Sequence, residues 1–196
     1  MSIAGIILAA GESSRMMSPK ALLKIGNSTF TEHIESILRE QGIGPVFVIA
    51  GAHYDEIRRA LASTKTLSIL HNSRYKHGQV SSLKQGLRHL PAGATAVVVW
   101  PVDQPLVKPG TVKELVEAFL RDPKPVVIPS MQGNHGHPVL YGPEAIQSAL
   151  NLRKDQTAKD LRDIYNDRIL YVEVDDPGIL IDIDTPEDYQ KHLPTL

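Results

Sequence analysis

The sequence predicts an α/β fold in which a mostly parallel sheet is covered by helices on both faces, giving three layers. Short apolar segments rich in β-branched residues alternate along the chain with segments of helical periodicity. That alternation is typical of βαβ units with right-handed crossovers. Within the apolar segments the apolarity is continuous, as expected of strands that are buried on both faces of a parallel sheet.

Seven strands follow from these apolar segments. They span residues 3–9, 45–50, 67–70, 94–100, 125–128, 138–141 and 169–174. The region from about residue 130 to 181 is less regular than the rest, and we expect it to add antiparallel strands. In sheets of this kind ligands bind at the carboxyl ends of the strands, so the residues after each strand are the first candidates for a site.

Four helices are indicated by apolar residues three and four positions apart. Their apolar faces are carried by residues 30–38, 57–61, 80–90 and 112–120. Thr29 with Glu32 and Thr111 with Glu114 have the spacing of capping boxes, which predicts the starts of the first and fourth helices.

Composition limits the function classes. A chain of 196 residues is of one-domain size, so we expect a single domain over residues 1–196. The absence of cysteine excludes disulfides, thiolate metal sites and a cysteine nucleophile. A net charge of -1 argues against a nucleic-acid partner, and no apolar run is long enough to span a membrane. The N-terminus lacks the basic segment of a secretory signal, so we expect a cytoplasmic protein.

The loop after the first strand carries small residues, then two hydroxyls, then Arg15 and Lys20. Small side chains let backbone N–H groups approach an anion closely, while Arg15 offers a planar fork for phosphate oxygens and Lys20 a point charge. The loop therefore suits a polyphosphate, although a flexible loop with two solvated cations fits the composition equally well. It matches neither the Walker A loop nor the GxGxxG fingerprint.

Two further segments place polar groups where ligands bind. The third helix opens at Gly78, and the side chains of Gln79, Ser81 and Ser82 could contact a base edge or a phosphate, or simply cap the helix. The fourth strand runs into Asp103. Mg²⁺ prefers one or two protein carboxylates together with waters and phosphates, which Asp103 fits; a turn aspartate is the alternative.

Other polar residues occur late in the chain. Asp182 and Asp184 would share one strand face if a strand extends that far, while Asp184 and the residues after it also have the pattern of a helix start. His135 and His137 are two residues apart, but no third ligand of matching spacing accompanies them, so zinc is disfavoured. A glycine-rich turn entering a strand is the simpler interpretation.

The pattern Leu8-Ala9-Ala10-Gly11-x-Ser13-x-Arg15-Met16-x-x-x-Lys20-x-Leu22-Leu23 resembles the signature loop of the MobA-like NTP transferases, the molybdenum cofactor cytidylyltransferases above all. Segments 78–87, 97–105, 133–140 and 181–189 extend the resemblance over nearly the whole chain. Met17 departs from the family's usual glycine, and His135 stands where arginine is common. The resemblance implies a Rossmann-like fold of the nucleotide-diphospho-sugar transferase kind. It also implies a nucleotide-binding part before about residue 105 and an acceptor-side part over about 106–196.

The resemblance also assigns roles to residues. Catalysis falls to Arg15, Lys20 and Asp103. Nucleotide binding falls to Leu8, Ala9, Ala10, Gly11, Ser13, Arg15, Lys20, Gln79 and Ser82. Asp103 and Asp184 are the expected Mg²⁺ ligands, with Asp182 held in reserve for the second place. Gln104, His135 and His137 are expected near the acceptor.

These assignments describe a nucleotidyl transfer. A phosphate monoester is largely dianionic at pH 7 and can attack the α-phosphorus of an NTP without a strong base, so the protein has to position the reactants and neutralise charge. Leu8-Ala9-Ala10-Gly11 resembles the Leu-Ala-Ala-Gly loop of the cytidylyl enzymes, whereas guanylyl enzymes tend to have Leu-Ala-Gly-Gly, so the difference lies at Ala10. The expected substrates are CTP and molybdopterin, with a molybdoenzyme apoprotein as partner. The alternatives are a sugar phosphate or another phosphometabolite as acceptor, and a non-catalytic nucleotide sensor or cofactor-insertion chaperone.

Overall fold

In the computed structural model, which describes residues 2–153 and 156–193, the strands form one mostly parallel sheet and a short two-stranded one. The strands are β1 Ser2–Ala9, β2 Lys24–Ile25, β3 Ser28–Thr29, β4 Val46–Ala50, β5 Leu67–His71, β6 Ala94–Pro101, β7 Val126–Met131, β8 Asn134–His135, β9 Val139–Tyr141 and β10 Ile169–Glu173. Each of the seven predicted strands is present, which confirms the predicted fold class.

The order across the large sheet is β10-β7-β9-β6-β1-β4-β5, with β8 paired to β7. β1 lies parallel to β4 on one side and to β6 on the other. β4 is also parallel to β5, and β10 is parallel to β7. β9 runs antiparallel between β6 and β7, and β8 is antiparallel to β7. The antiparallel strands therefore lie in the region where the sequence predicted them.

The helices of the described residues are α1 Phe30–Glu40, α2 Tyr54–Ala60, α3 Gln79–Leu87, α4 Pro109–Arg121, α5 Pro143–Asn151, α6 Ala158–Ile164 and α7 Pro186–His192. None of them is long and apolar enough to cross a membrane. The capping box of Thr29 and Glu32 is present at α1. The predicted box at Thr111 is wrong, because Pro109 starts α4 two residues earlier and the Thr111 hydroxyl donates to Asp176 instead, at 2.6 Å.

Two apolar cores lie on opposite faces of the sheet, as a three-layer fold requires. In β1 the side chains alternate between them: Ile7 belongs to the core under α1, α2 and α4, and Ile6 to the core under α3, α5 and α6. Burial on both faces explains why the strand segments are continuously apolar. The carboxyl ends of β6, β1 and β4 are adjacent, so the loops that follow them meet at one edge.

Candidate functional site: a cavity at the carboxyl ends of the central strands

A cavity of about 450 Å³ opens at this edge of the sheet. It is lined by all nine residues predicted to bind the nucleotide, which are Leu8, Ala9, Ala10, Gly11, Ser13, Arg15, Lys20, Gln79 and Ser82. Asp103 and Asp184 line it as well. Segments far apart in the sequence are thus brought to one concave surface of the size that small-molecule ligands occupy.

The loop after β1 folds back through Ser13, whose backbone has φ 49°. The Ser13 carbonyl accepts from the N–H groups of Met16 and Met17 at 3.0 and 3.1 Å, and its hydroxyl accepts from the Lys20 N–H at 3.2 Å. Met17 also has a positive φ, 57°, and its side chain is exposed. Because glycine adopts this conformation without strain, the geometry explains the glycine that the resemblance leads one to expect at position 17.

A chain of ion pairs crosses the mouth of the cavity. Arg15 Nη2 lies 2.7 Å from Asp184 Oδ2, and Lys20 Nζ lies 3.1 Å from Asp103 Oδ2 and also donates to Asp184 Oδ1. The Lys20 side chain is 12% exposed, so its ammonium is held between the two carboxylates with little access to water. Both predicted cations and both predicted metal ligands therefore meet at one place.

The ion pairs control protonation. Burial acts to lower the pKa of Lys20, but the charges of Asp103 and Asp184 and their hydrogen bonds outweigh it, so the pKa of Lys20 is raised above its ordinary 10.5. The hydrogen bond from Lys20 holds the pKa of Asp184 below its ordinary 3.8, against the opposing effect of burial. At neutral pH the site therefore contains an ammonium and an ionised carboxylate in contact.

Asp184 reaches the cavity from a helix start and not from a strand. Residues 181–184 are outside any strand, so Asp182 and Asp184 share no strand face, and the alternative of a helix start after Asp184 is the one that the structure has. Thr185 is the N-cap of α7 and forms a capping box with Asp188. Asp188 also accepts from the Asp184 N–H at 3.2 Å, and these bonds fix the backbone from which the Asp184 side chain extends.

Ser82 is buried beneath the cavity, and its position depends on a residue that sequence reasoning missed. Asn72, directly after β5, donates its amide N–H groups to Ser81 Oγ at 2.8 Å and to Ser82 Oγ at 2.9 Å. Gly78, with φ 87°, precedes α3 and lets the chain turn into the helix. The signal that could have found Asn72 is its place at the carboxyl end of a strand.

One wall of the cavity comes from the loop after β4, which sequence reasoning also missed. A Cβ on Gly51 would overlap the carbonyl oxygen of Ala10 and the Tyr75 side chain, so glycine allows the loops to pack together. His53 lines the cavity, and its Nε2 lies 2.9 Å from the Glu12 carbonyl oxygen. The carboxyl-end rule applies to this loop too, but a single histidine has no motif to mark it.

The residues expected near the acceptor are more dispersed. His137 is half-buried beside a small cavity that it shares with Leu8 and Gln79, and burial lowers the pKa of His137 despite the nearby charges of Asp103 and Asp182. His135 is exposed and stacks on Tyr171, with ring centroids 4.1 Å apart. Gln104 is buried, and its amide donates to Asp182 Oδ1 at 2.7 Å. Neither His135 nor Gln104 lines the large cavity.

The two carboxylates suit a hard cation. Asp103 and Asp184 converge on one ammonium group, which shows that a single positive charge fits between them. Among residues 2–153 and 156–193 no group of three or more side chains could hold a metal ion. Any ion here would therefore take two protein carboxylates and complete its shell with water and phosphate oxygens, the arrangement that Mg²⁺ prefers.

Among solved structures, the fold is similar to a nucleotidyl transferase from Methanothermobacter thermautotroptrophicus, with a TM-score of 0.82, 24% identity and coverage of 98% of this chain and 96% of the other. It is also similar to the Rv0371c protein of Mycobacterium tuberculosis H37Rv in complex with manganese, with a TM-score of 0.75, 23% identity and full coverage of both chains.

The curated relatives that are similar to this chain in sequence are consistent with the site described above. The molybdenum cofactor cytidylyltransferase of Escherichia coli K12 is 28% identical over 94% of this chain and 92% of its own. A probable molybdenum cofactor guanylyltransferase of Mycolicibacterium paratuberculosis is 32% identical over 72% of this chain and 70% of its own. The bifunctional protein GlmU of Gloeobacter violaceus is 31% identical over 59% of this chain, a match that spans only 25% of GlmU.

The model of the MobA-like NTP transferase domain matches residues 5–169. That range includes the loop after β1, the start of α3 and Asp103. A match over most of the chain is consistent with the cavity, the paired cations and the carboxylates described above. The chain therefore belongs to the MobA-like NTP transferase family, and it is a nucleotidyltransferase.

Proposed function

We propose that the chain transfers CMP from CTP to the phosphate of molybdopterin in a Mg²⁺-dependent reaction that releases pyrophosphate. The observation that carries the proposal is the chain of ion pairs from Arg15 through Asp184 and Lys20 to Asp103 at the mouth of the cavity. It places two cations for a triphosphate beside two carboxylates for a metal ion, which is the charge pattern that phosphoryl chemistry needs.

In the proposed reaction, an oxygen of the acceptor phosphate forms a bond to the α-phosphorus of CTP. The bond from the α-phosphorus to the oxygen that bridges it to the β-phosphorus breaks, and its electron pair leaves with pyrophosphate. The acceptor is a dianion, so no strong base is required. Arg15 and Lys20 neutralise the triphosphate and the leaving group, while the N–H groups of residues 10–13 bind phosphate oxygens.

Asp103 and Asp184 would hold Mg²⁺, which would supply charge neutralisation for the phosphate groups of the reactants. Lys20 contacts both carboxylates, so its ammonium lies beside the proposed metal position and can neutralise phosphate oxygens of the bound nucleotide.

The choice of CTP is supported by Ala10 in the first loop and by the cytidylyltransferase relative that aligns over nearly the full length of both chains. Gln79 and Ser82 are the proposed contacts to the base or ribose, because both line the cavity at the start of α3. The molybdopterin acceptor is supported by the names of the relatives that align over most of the chain.

The acceptor-side part of the chain is proposed to lie after about residue 105, with His137, His135 and Gln104 near the acceptor. His137 has the strongest geometric support of the three, because it lies beside Leu8 and Gln79 of the nucleotide cavity. A sugar phosphate is the second candidate acceptor. The observation that favours it is His135, an exposed histidine at a position where the resembling family commonly has arginine.

The test is release of pyrophosphate by the purified protein with each of the four NTPs, Mg²⁺ and metal-loaded molybdopterin. Acceptor-dependent release with CTP preferred is the expected result. Preference for another base would contradict the reading of Ala10 and leave the chemistry intact. Release with a panel of sugar phosphates but not with molybdopterin would replace the acceptor.

A further inference from the structure

Asp103 and Asp184 come from separate elements, so something has to fix the distance between their carboxylates. Asp103 follows β6, and Asp184 precedes α7. Two bonds link the chain segments that carry them: the Ile183 N–H donates to the Asp103 carbonyl at 2.7 Å, and the Gln104 amide donates to Asp182 Oδ1 at 2.7 Å. One bond is between backbones, and the other joins the side chain of Gln104, which follows Asp103, to that of Asp182, which lies two residues before Asp184.

We propose that the Gln104–Asp182 side-chain bond positions the two carboxylates for the metal ion, so that both residues are positioning residues of the site. This inference rests on the proposed function, because it concerns the same metal. It gives Gln104 a role apart from acceptor binding, and it removes Asp182 as an alternative ligand to Asp184.

Burial makes Gln104 a rigid anchor. The residue is 6% exposed, and its backbone carbonyl accepts from the indole N–H of the fully buried Trp100 at 2.9 Å. Its side-chain Oε1 is buried with no hydrogen-bond partner. The bond to Asp182 therefore pairs the Nε2 side of this buried amide, and its loss would leave Nε2 unpaired as well as Oε1.

The cavity lining distinguishes the proposed metal ligands from the residues that support them. Asp103 and Asp184 line the cavity, whereas Gln104 and Asp182 do not. Asp182 Oδ1 accepts from the Gln104 amide, so this oxygen is engaged in the link between the two segments. When a residue that supports a metal ligand without binding the metal itself is removed, the metal affinity falls by about 10–100-fold.

The test is binding of Mn²⁺, followed by electron paramagnetic resonance, in the presence of the non-hydrolysable analogue α,β-methylene-CTP and without acceptor. For Asp182→Ala we expect a loss of Mn²⁺ affinity of about 10–100-fold. Asp182→Asn keeps an oxygen that can accept from Gln104 and should stay within about threefold of the wild type, because a bond between neutral groups replaces a charge-assisted one.

Gln104→Met removes the amide at similar volume and should lose as much affinity as Asp182→Ala, and the double variant should lose no more than either single one. Equal losses in Asp182→Asn and Asp182→Ala would overturn the inference in favour of Asp182 as a direct ligand. Unchanged affinity in Asp182→Ala would overturn it as well. A wild-type protein that binds no Mn²⁺ with the nucleotide would overturn the proposed function itself, which distinguishes the two failures.

Discussion

Around the cavity, the proposed nucleotide side (residues 8–20 and their contacts) is held by ion pairs between side chains. Within the proposed acceptor-side part, two segments (residues 133–140 and 177–180, called the acceptor side below) are joined by backbone hydrogen bonds. On the nucleotide side Lys20 contacts two carboxylates. On the acceptor side the Gly136 N–H donates to the Pro129 carbonyl at 3.1 Å, and the His137 N–H to the Ile179 carbonyl at 3.3 Å.

The difference has a functional consequence. Ion pairs between side chains can be replaced by ion pairs with a charged ligand. The charges on the nucleotide side therefore indicate the kind of ligand that binds there. Backbone bonds fix a shape but carry no such information, because they would be made whatever ligand binds. The ion pairs therefore support a phosphate-bearing donor substrate, whereas the backbone bonds do not discriminate between acceptors.

The largest expected effect is that of Asp103→Asn, which tests whether the charges on the nucleotide side carry catalysis. The variant keeps the shape of the side chain but removes a charge that faces Lys20 and the proposed metal. We expect turnover to fall by about 10²–10³-fold, as when one preorganised charged contact is lost. Steady-state pyrophosphate release measures it.

Asp122→Asn is the matched control for that experiment. Asp122 is exposed at the carboxyl end of α4 and pairs with the surface residue Lys124, at 3.4 Å. We expect unchanged turnover. Full turnover in Asp103→Asn would contradict the catalytic assignment of Asp103.

A second prediction separates the two sides by close packing. Alanine at Gly51 would push on Ala10, and alanine at Gly136 would push on the Ile179 carbonyl. We expect Gly51→Ala to raise the KM for CTP by about tenfold or more, because small displacements of a binding loop are costly, and Gly136→Ala to raise the KM for the acceptor instead. Steady-state kinetics with each substrate varied in turn measures both constants.

Gly110→Ala serves as the control, since a Cβ there meets nothing within 4 Å. Both KM values should stay at the wild-type level in this variant. If Gly51→Ala and Gly136→Ala changed the same KM, the division into a nucleotide side and an acceptor side would be wrong.

Ser82→Ala tests the nucleotide side at finer scale. Loss of a hydroxyl that contacts the base or ribose should weaken CTP binding by about 1 kcal/mol, or roughly fivefold. Isothermal titration calorimetry with α,β-methylene-CTP measures it. Ser81→Ala is a matched control from the same helix turn, because the Ser81 hydroxyl bonds to the carbonyls of Arg74 and Gly78 and does not line the cavity. Equal losses in both variants would indicate an effect through Asn72 alone.

Asp184→Asn tests the ion pairs through pH. The pKa of Asp184 is lowered in the folded protein, so its ionised form stabilises the fold above about pH 3.8, and this contribution disappears as the pH falls through the lower folded pKa. The pKa of Lys20 is raised in the folded protein, so its pH dependence is the opposite: the ammonium form stabilises the fold, and this contribution is lost only above pH 10.5. Between these limits both groups contribute.

At pH 7 the variant should therefore unfold with a free energy about 1 kcal/mol lower than the wild type, a value discounted for the partial exposure of the pair. The difference should shrink toward pH 3. Urea unfolding across this range measures it. A difference that does not depend on pH would assign the effect to packing and not to charge.

Sequence patterns predicted the central strands because buried β-branched segments have few other structures available. The resemblance pointed to nine of the residues that line the cavity, seven in the contiguous segment from Leu8 to Lys20 and two at the start of α3. Sequence patterns failed for His53, which lines the cavity, and for Asn72, which bonds to the cavity residue Ser82; both are single residues that follow separate strands. Thr111 misled for a related reason: its hydroxyl has a distant partner in Asp176. Contacts between remote segments depend on topology, which local periodicity does not encode.

The smallest expected effect concerns Met17, which holds φ 57° in the loop of the nucleotide side. A non-glycine residue in this region costs about 1–2 kcal/mol, while glycine costs about 0.5–1 kcal/mol in lost freedom on folding. Met17→Gly should therefore raise the free energy of unfolding by roughly 0.5 kcal/mol, as measured by urea unfolding. Ser18→Gly, at an exposed neighbour without a positive φ, should lower it. If both variants were destabilised alike, the positive φ at Met17 would carry no strain that glycine relieves.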